Sequence, residues 1–199
     1  MIFRPLTTIE REAVRNLYLS LSPDDRRKRF CCTISDEAIS KYTDRLDFTR
    51  DTILGAFDEH LLLVGIAELV HGPAESEMAF SVRQDRRGQK IGTKLIQKLL
   101  QHARMHGVGQ VFVQFLSDNT PMRKMARRAG MTVDTVDGES HAARKLSAPS
   151  AEELARWSME GKLSYSDYLG TVGSVRLGSF ADRSKSKTPQ PLKDLAPAD

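Results

Sequence analysis

The chain has 199 residues, 40% of them apolar, and a net charge of +4, which suffices for one well-buried domain with an appendage and is too short for two ordinary domains. No apolar run approaches the roughly 20 residues that span a bilayer, and the N-terminal "MIFRPLTTIEREAV" lacks the basic-then-apolar order of a secretory signal, so a cytoplasmic protein is expected. The two cysteines, Cys31 and Cys32, are adjacent, which excludes a disulfide framework and normal metal-ligand spacing and leaves buried or idle thiols.

In chain order, residues 2–6 read as a short strand. A helix follows from about Thr8, taken as its N-cap, with Ile9, Ala13, Leu17 and Leu21 on one face. Pro23 opens a second helix, "PDDRRKRF", whose acids precede its bases as the helix dipole favours. "SDEAISKYTDRLDF" predicts a third. From Asp51 the period changes, and "DTILGAFDEHLLLVGIAELVHG" gives two apolar runs about Asp58-Glu59, the pattern of a hairpin; "SEMAFSV" is the next strand.

"FSVRQDRRGQKIGTKLIQKLLQHAR", residues 80–104, then runs from strand through a charged turn into an amphipathic helix with Ile91, Leu95, Leu99 and Ala103 on its apolar face. Asp85 is the single acid in this stretch against Arg83, Arg86, Arg87, Lys90, Lys94, Lys98 and Arg104. "VGQVFVQFL" predicts a buried strand, and "DNTPMRKMARRAG" a short helix with Pro121 in its first turn and Gly130 at its C-terminal cap. Two short strands, "MTVDTVD" and "ESHAARKLS", turn at Asp137-Gly138. The expected fold class is α/β (α+β): a central mixed, mostly antiparallel sheet flanked by helices. Residues 1–146 form the domain. Residues 147–199 form a C-terminal helix, opened by Ser150 and anchored by Trp157, and a tail whose last 20 or so residues lack the apolar content to order themselves.

Residues 147–199 carry seven bases and seven acids, so the positive excess lies in residues 1–146, around the charged turn and in "RKMARR", Arg123 to Arg128. A strand that delivers a tight turn and a helix presents free backbone N–H groups at the positive end of the helix dipole, a site for phosphate. "GQKIGTK" is neither a P-loop nor a dinucleotide fingerprint. Two local basic clusters beside a glycine-containing turn fit a small polyanion better than nucleic acid, since aromatic residues are not interleaved with the bases. His102 and His106, four apart, lack the glutamate and third ligand of a zinc helix, and no metal is expected. The run Arg26 to Arg29 reads as a wet helix face, or else as a wall that meets an acidic partner or a phosphate.

With "DNTPMRKMARRAGM" some thirty residues after it, the strand–turn–helix resembles the acyl-CoA-binding half of the GNAT N-acetyltransferase superfamily, over roughly residues 2–146. The resemblance implies acetyl-CoA as cosubstrate and an amine acceptor, a small molecule or a protein lysine, attacked directly in a ternary complex. The superfamily's pyrophosphate segment maps onto Arg87, Gly88, Gln89, Lys90, Ile91 and Gly92, continuing to Thr93. Lys90 stands where a glycine is usual. Phe80, Ser81 and Val82 would lie along the pantetheine arm, and Asn119 and Met122 near the thioester end. The frequent tyrosine acid falls at Ala126, which excludes it there.

"LSPDDRRKRF" and "SEMAFSV" are similar to segments of bacterial Pat-type protein-lysine acetyltransferases, and on that likeness Glu77 is the general base. Chemistry agrees, because an ammonium must lose its proton before it attacks. Glu75, two residues back on the same strand face, is the fallback. The competing reading is a catalytically silent GNAT-like module that senses acyl-CoA or regulates a partner.

Overall fold

The computed structural model describes residues 1–159; the expectations for the tail beyond Met159 lie outside the described residues. Seven strands form one sheet in the order β1-β2-β3-β4-β5-β7-β6. They are β1 (Ile2–Pro5), β2 (Thr52–Phe57), β3 (Leu63–Val70), β4 (Ser76–Val82), β5 (Gln110–Leu116), β6 (Thr132–Val136) and β7 (Glu139–Lys145). Every neighbouring pair is antiparallel except β4 and β5. The helices are α1 (Arg11–Leu19), α2 (Pro23–Phe30), α3 (Asp36–Asp44), α4 (Ile91–Met105), α5 (Thr120–Arg128) and α6 (Ala151–Met159).

Each face of the sheet has its own core. On one, Ile91, Leu95, Ile96 and Leu99 of α4 and Met122 and Ala126 of α5 pack with Met78, Val111, Val113 and Phe115 of the sheet. On the other, Val14, Leu17, Tyr18, Phe30 and Ile39 of the first three helices pack with Ile53 and Ile66. The α4 stripe is the one its 3.6-residue period predicts.

The start of α1 differs from expectation. The cap is Thr7, whose hydroxyl accepts from the Ile9 backbone while Glu10 reaches back to the Thr7 N–H, a capping box opening a short 3-10 turn before α1. That shift rotates Ile9 out to 88% exposure, and the buried stripe is Val14, Leu17 and Tyr18.

The last helix among the described residues, α6, docks through Trp157. Met105, Leu154 and Trp157 form a small third cluster, and Arg104 makes a bidentate pair with Glu153 at 2.8 and 2.9 Å. Hydrogen bonds from Arg104, then from the Ser150 backbone, hold the Glu153 carboxyl down at about 2. His102 stacks on His106 at 4.0 Å and meets the Trp157 ring edge-on at 6.0 Å. Burial, and then its neighbours His106 and His71, push the His102 imidazole down to about 3. Both groups are depressed in the folded chain, so both stabilise it above their ordinary values and lose that contribution as pH falls through the depressed ones. Acidification from neutrality toward pH 3 is therefore expected to destabilise this corner first. Trp157 is the single tryptophan, and a red shift of its emission ahead of the global transition measures the loss.

Candidate active site

The parallel pair β4 and β5 holds register only at Ser76↔Val111 and Glu77↔Phe112, after which the strands part. β4 stays paired with β3 through Val82. The Arg83 N–H donates to Val64 of β3, so by strand alternation the N–H and C=O groups of Met78, Phe80 and Val82 point into the gap that β5 has left. A row of backbone donors and acceptors thus lines a cleft, where a ligand with amide groups can satisfy them.

The cleft, of about 560 Å³, is walled by Phe80, Ser81 and Val82, by Arg87, Gly88, Lys90, Ile91, Gly92 and Thr93, and by Asn119 and Met122. All the expected coenzyme residues except one therefore meet there. Gln89 is the exception: it is exposed and does not line the cleft, in a tight turn whose flanking residues Gly88 and Lys90 are both left-handed. Ser81 also borders the cleft, and its buried hydroxyl has no hydrogen-bond partner among the described residues. Lys124 and Arg128 of α5 add positive charge on the opposite wall, and neither they nor Lys90 are in an ion pair among the described residues.

The turn has the electrostatics to receive an anion. α4 opens at Lys90 with no side-chain cap and no acid in its first turn, which leaves its N-terminal N–H groups to whatever enters the cleft. A Cβ on Gly92 would lie 3.2 Å from the Met125 sulfur, a tight contact that the methionine side chain would have to yield to by a few tenths of an ångström, so the glycine lets α4 and α5 approach closely. Lys90 takes the left-handed conformation, φ 60°. The backbone keeps the shape a glycine would give, and the lysine bears the strain. Lys90→Gly is expected to raise stability by about 1 kcal/mol in urea denaturation and, by removing the ammonium, to weaken coenzyme binding.

Arg86 and Arg87 have structural partners as well. Arg86 pairs with the buried Asp58 of the β2–β3 turn at 2.7 Å and so fixes the loop to the sheet. Arg87 pairs with Asp25 of α2 at 2.7 Å, and Arg27 of α2 pairs with Asp118 before α5 at 2.5 Å. α2 is thereby tied to both sides of the cleft. Asn119 caps α5 by accepting from the Met122 N–H at 3.2 Å, which fixes its side chain on the wall shared by the cleft and the adjoining narrow cavity.

Glu77 is the last paired residue of β4 before the split and lines a narrow cavity of about 70 Å³ that shares Lys28, Arg29, Phe80, Asn119 and Met122 with the larger cleft. It is half-buried. Burial lifts its carboxyl above the ordinary range, the Arg29 guanidinium lowers it, and the Glu68 carboxylate raises it again. Glu75 accepts a hydrogen bond from Gln110 at 2.8 Å and does not line the cavity.

Arg29 is a correction to the wet-face reading of its helix: its side chain is 3% exposed and pairs at 2.5 Å with Glu68, which is 1% exposed. Glu68 also accepts from Tyr18 at 2.5 Å and from Tyr42, and the guanidinium sits among the rings of Tyr18, Phe30 and Tyr42. The signal for this network was Glu68 itself, an acid inside the apolar run "LVGIAELV", which has to find a cation when buried. Cys31 is not idle in position either: it lines the narrow cavity in a left-handed conformation, φ 58°, that ends α2.

The profile of the acetyltransferase (GNAT) family matches residues 14–131. The chain belongs to the GNAT family. Its fold is similar to solved members across about three quarters of its length. The GNAT domain of S. lividans PAT superposes with a TM-score of 0.62 at 23% identity, covering 72% of this chain and 89% of that one. Spermidine N-acetyltransferase from Vibrio cholerae, solved with CoA and spermine, gives 0.58 at 13% identity, with 72% and 94% covered. The ribosomal-protein-S18-alanine N-acetyltransferase of Escherichia coli gives 0.58 at 14%, with 75% and 96% covered. In this GNAT chain Ala126 is wholly buried in the core under α5, so that position presents no proton donor to the cleft.

Proposed function

We propose that this GNAT protein transfers an acetyl group from acetyl-CoA to a primary amine, by direct attack of the amine in a ternary complex. The observation that carries the reading is the divergence of β4 from β5 directly after Glu77, with that carboxylate lining a narrow cavity that adjoins a cationic cleft.

Acetyl-CoA supplies an activated thioester. Gly88 to Thr93 and the N-terminus of α4 hold the pyrophosphate, with Arg87, Lys90, Lys124 and Arg128 adding charge-assisted contacts. The backbone groups of Phe80 and Val82 hold the pantetheine amides, and an N–H of this edge polarises the thioester carbonyl. Asn119 and Met122 bound the thioester end. Glu77, ionised, takes the proton from the incoming ammonium, directly or through water, and leaves a nucleophilic amine. The amine attacks the thioester carbonyl, the C–S bond breaks, and coenzyme A leaves as the free thiol, its sulfur taking up the proton that the attacking nitrogen loses, so no covalent enzyme intermediate is needed.

Calorimetry with acetyl-CoA tests the coenzyme half. Gly92→Asp places a side chain and a negative charge at the phosphate end of the cleft, and its affinity is expected to fall at least tenfold. Unchanged affinity in a folded variant would remove the cleft from the account.

A further inference from the structure

A carboxylate stands among the cations of the large cleft. Asp25, in the first turn of α2, is the single acid among the described residues that line it, and it shares that lining with Arg87, Lys90, Lys124 and Arg128. The Ser22 hydroxyl, which caps α2, donates to one Asp25 oxygen at 2.7 Å, and the other oxygen pairs with the Arg87 guanidinium at 2.7 Å. The helix dipole does not require this charge, because Asp24 supplies one in the same turn and lies outside the cleft.

The arginines of the cleft differ in how firmly they are held. Arg29 and Arg86 are paired with Glu68 and Asp58, acids so deeply buried that a ligand in the cleft cannot take their place. Arg87 is about half exposed, and its other contact among the described residues is a long hydrogen bond to the Val82 carbonyl at 3.4 Å. A phosphate oxygen that receives an Arg87 N–H therefore takes it from a carboxylate bordering the same cleft. The two anions, brought within a few ångströms of each other in a partly buried site, repel.

Resting on the transferase reading above, we propose that Asp25 is the release residue of the coenzyme site. Its carboxylate positions Arg87 between turnovers, competes with the coenzyme phosphates for that guanidinium, and so speeds the departure of CoA. Transfer changes the thioester end alone. Product and cosubstrate share their phosphates, so a grip on that end holds both equally, and one too firm slows turnover. Asp25 touches no reacting atom and acts through Arg87, as a positioning residue.

Calorimetry and stopped-flow dissociation of CoA from the full chain test the assignment. Asp25→Asn keeps the shape and still accepts from Ser22, but carries no charge. It is expected to bind CoA about tenfold more tightly, through a dissociation rate about tenfold slower, and the gain should shrink as salt rises. In turnover the KM for acetyl-CoA should fall and inhibition by product CoA should strengthen. Asp25→Glu, which restores the charge, should return the affinity toward native. Asp85→Asn removes a charge from the neighbouring turn, where the acid pairs with Arg83 outside the cleft, and should bind CoA as the native chain does. Unchanged or weaker CoA binding in a folded Asp25→Asn, a gain lying wholly in the association rate, or an equal gain in Asp85→Asn overturns the proposal. Its failure is distinct from that of the transferase reading. A native chain that binds no CoA overturns both, whereas CoA held more tightly by Asp25→Asn, with no transfer to any amine, sustains the role of Asp25 in coenzyme exchange and sinks the reaction.

Discussion

Glu77→Gln is expected to bind acetyl-CoA as the native chain does and to turn over about a hundredfold more slowly, the usual contribution of a general base. The substitution keeps shape and hydrogen-bonding capacity and removes basicity, so binding and chemistry separate. Because burial lifts the Glu77 carboxyl, the ascending limb of the native rate against pH is displaced above the ordinary carboxylate range, and that limb should vanish in the variant. A stability effect of the same sign accompanies it. A carboxyl raised in the folded state favours folding below its ordinary value and loses that contribution as pH rises through the raised one. At neutral pH the glutamine variant should therefore melt at a higher temperature than the native chain. Glu75→Gln should leave turnover near native, since Glu75 is held by Gln110 and lies outside the cavity. Loss of rate in Glu75→Gln with full activity in Glu77→Gln would move the base two residues along the strand.

The second large effect is on stability. Arg29→Met leaves Glu68 buried without its cation, and the cost is expected to be about 3–5 kcal/mol in urea denaturation. Removing both charges, in Arg29→Met with Glu68→Leu, should recover most of it, because the desolvation penalty of the carboxylate goes too. The single variant should also lower activity, since α2 and its C-terminal cap supply Lys28, Arg29, Phe30 and Cys31 to the cavity. A single variant as stable as the native chain would mean that the tyrosine hydroxyls alone satisfy Glu68.

How much of this was legible in the sequence follows from what each residue's neighbours are. The α4 stripe, the β2–β3 hairpin and the Asp137-Gly138 turn are local patterns, and the chain adopts them as read. The cap of the first helix was displaced by one residue because Thr7 and Thr8 are adjacent, and only the reach of Glu10 back to Thr7 decides between them. Arg29 was misread because a four-residue basic run looks solvated until Glu68, 39 positions on, is brought beneath it. Lys90 stands where a glycine is usual, and its backbone takes the left-handed conformation that glycine adopts readily.

The central claim is tested most directly by following free thiol and acetylated amine together when the native chain is incubated with acetyl-CoA and a panel of primary amines. Thiol released in equal amount with N-acetylated acceptor, and released slowly or not at all without an amine, is the predicted result. Tight acetyl-CoA binding with neither product from any amine, in small-molecule or peptide form, would contradict the account and mark the cleft as a sensor of acyl-CoA.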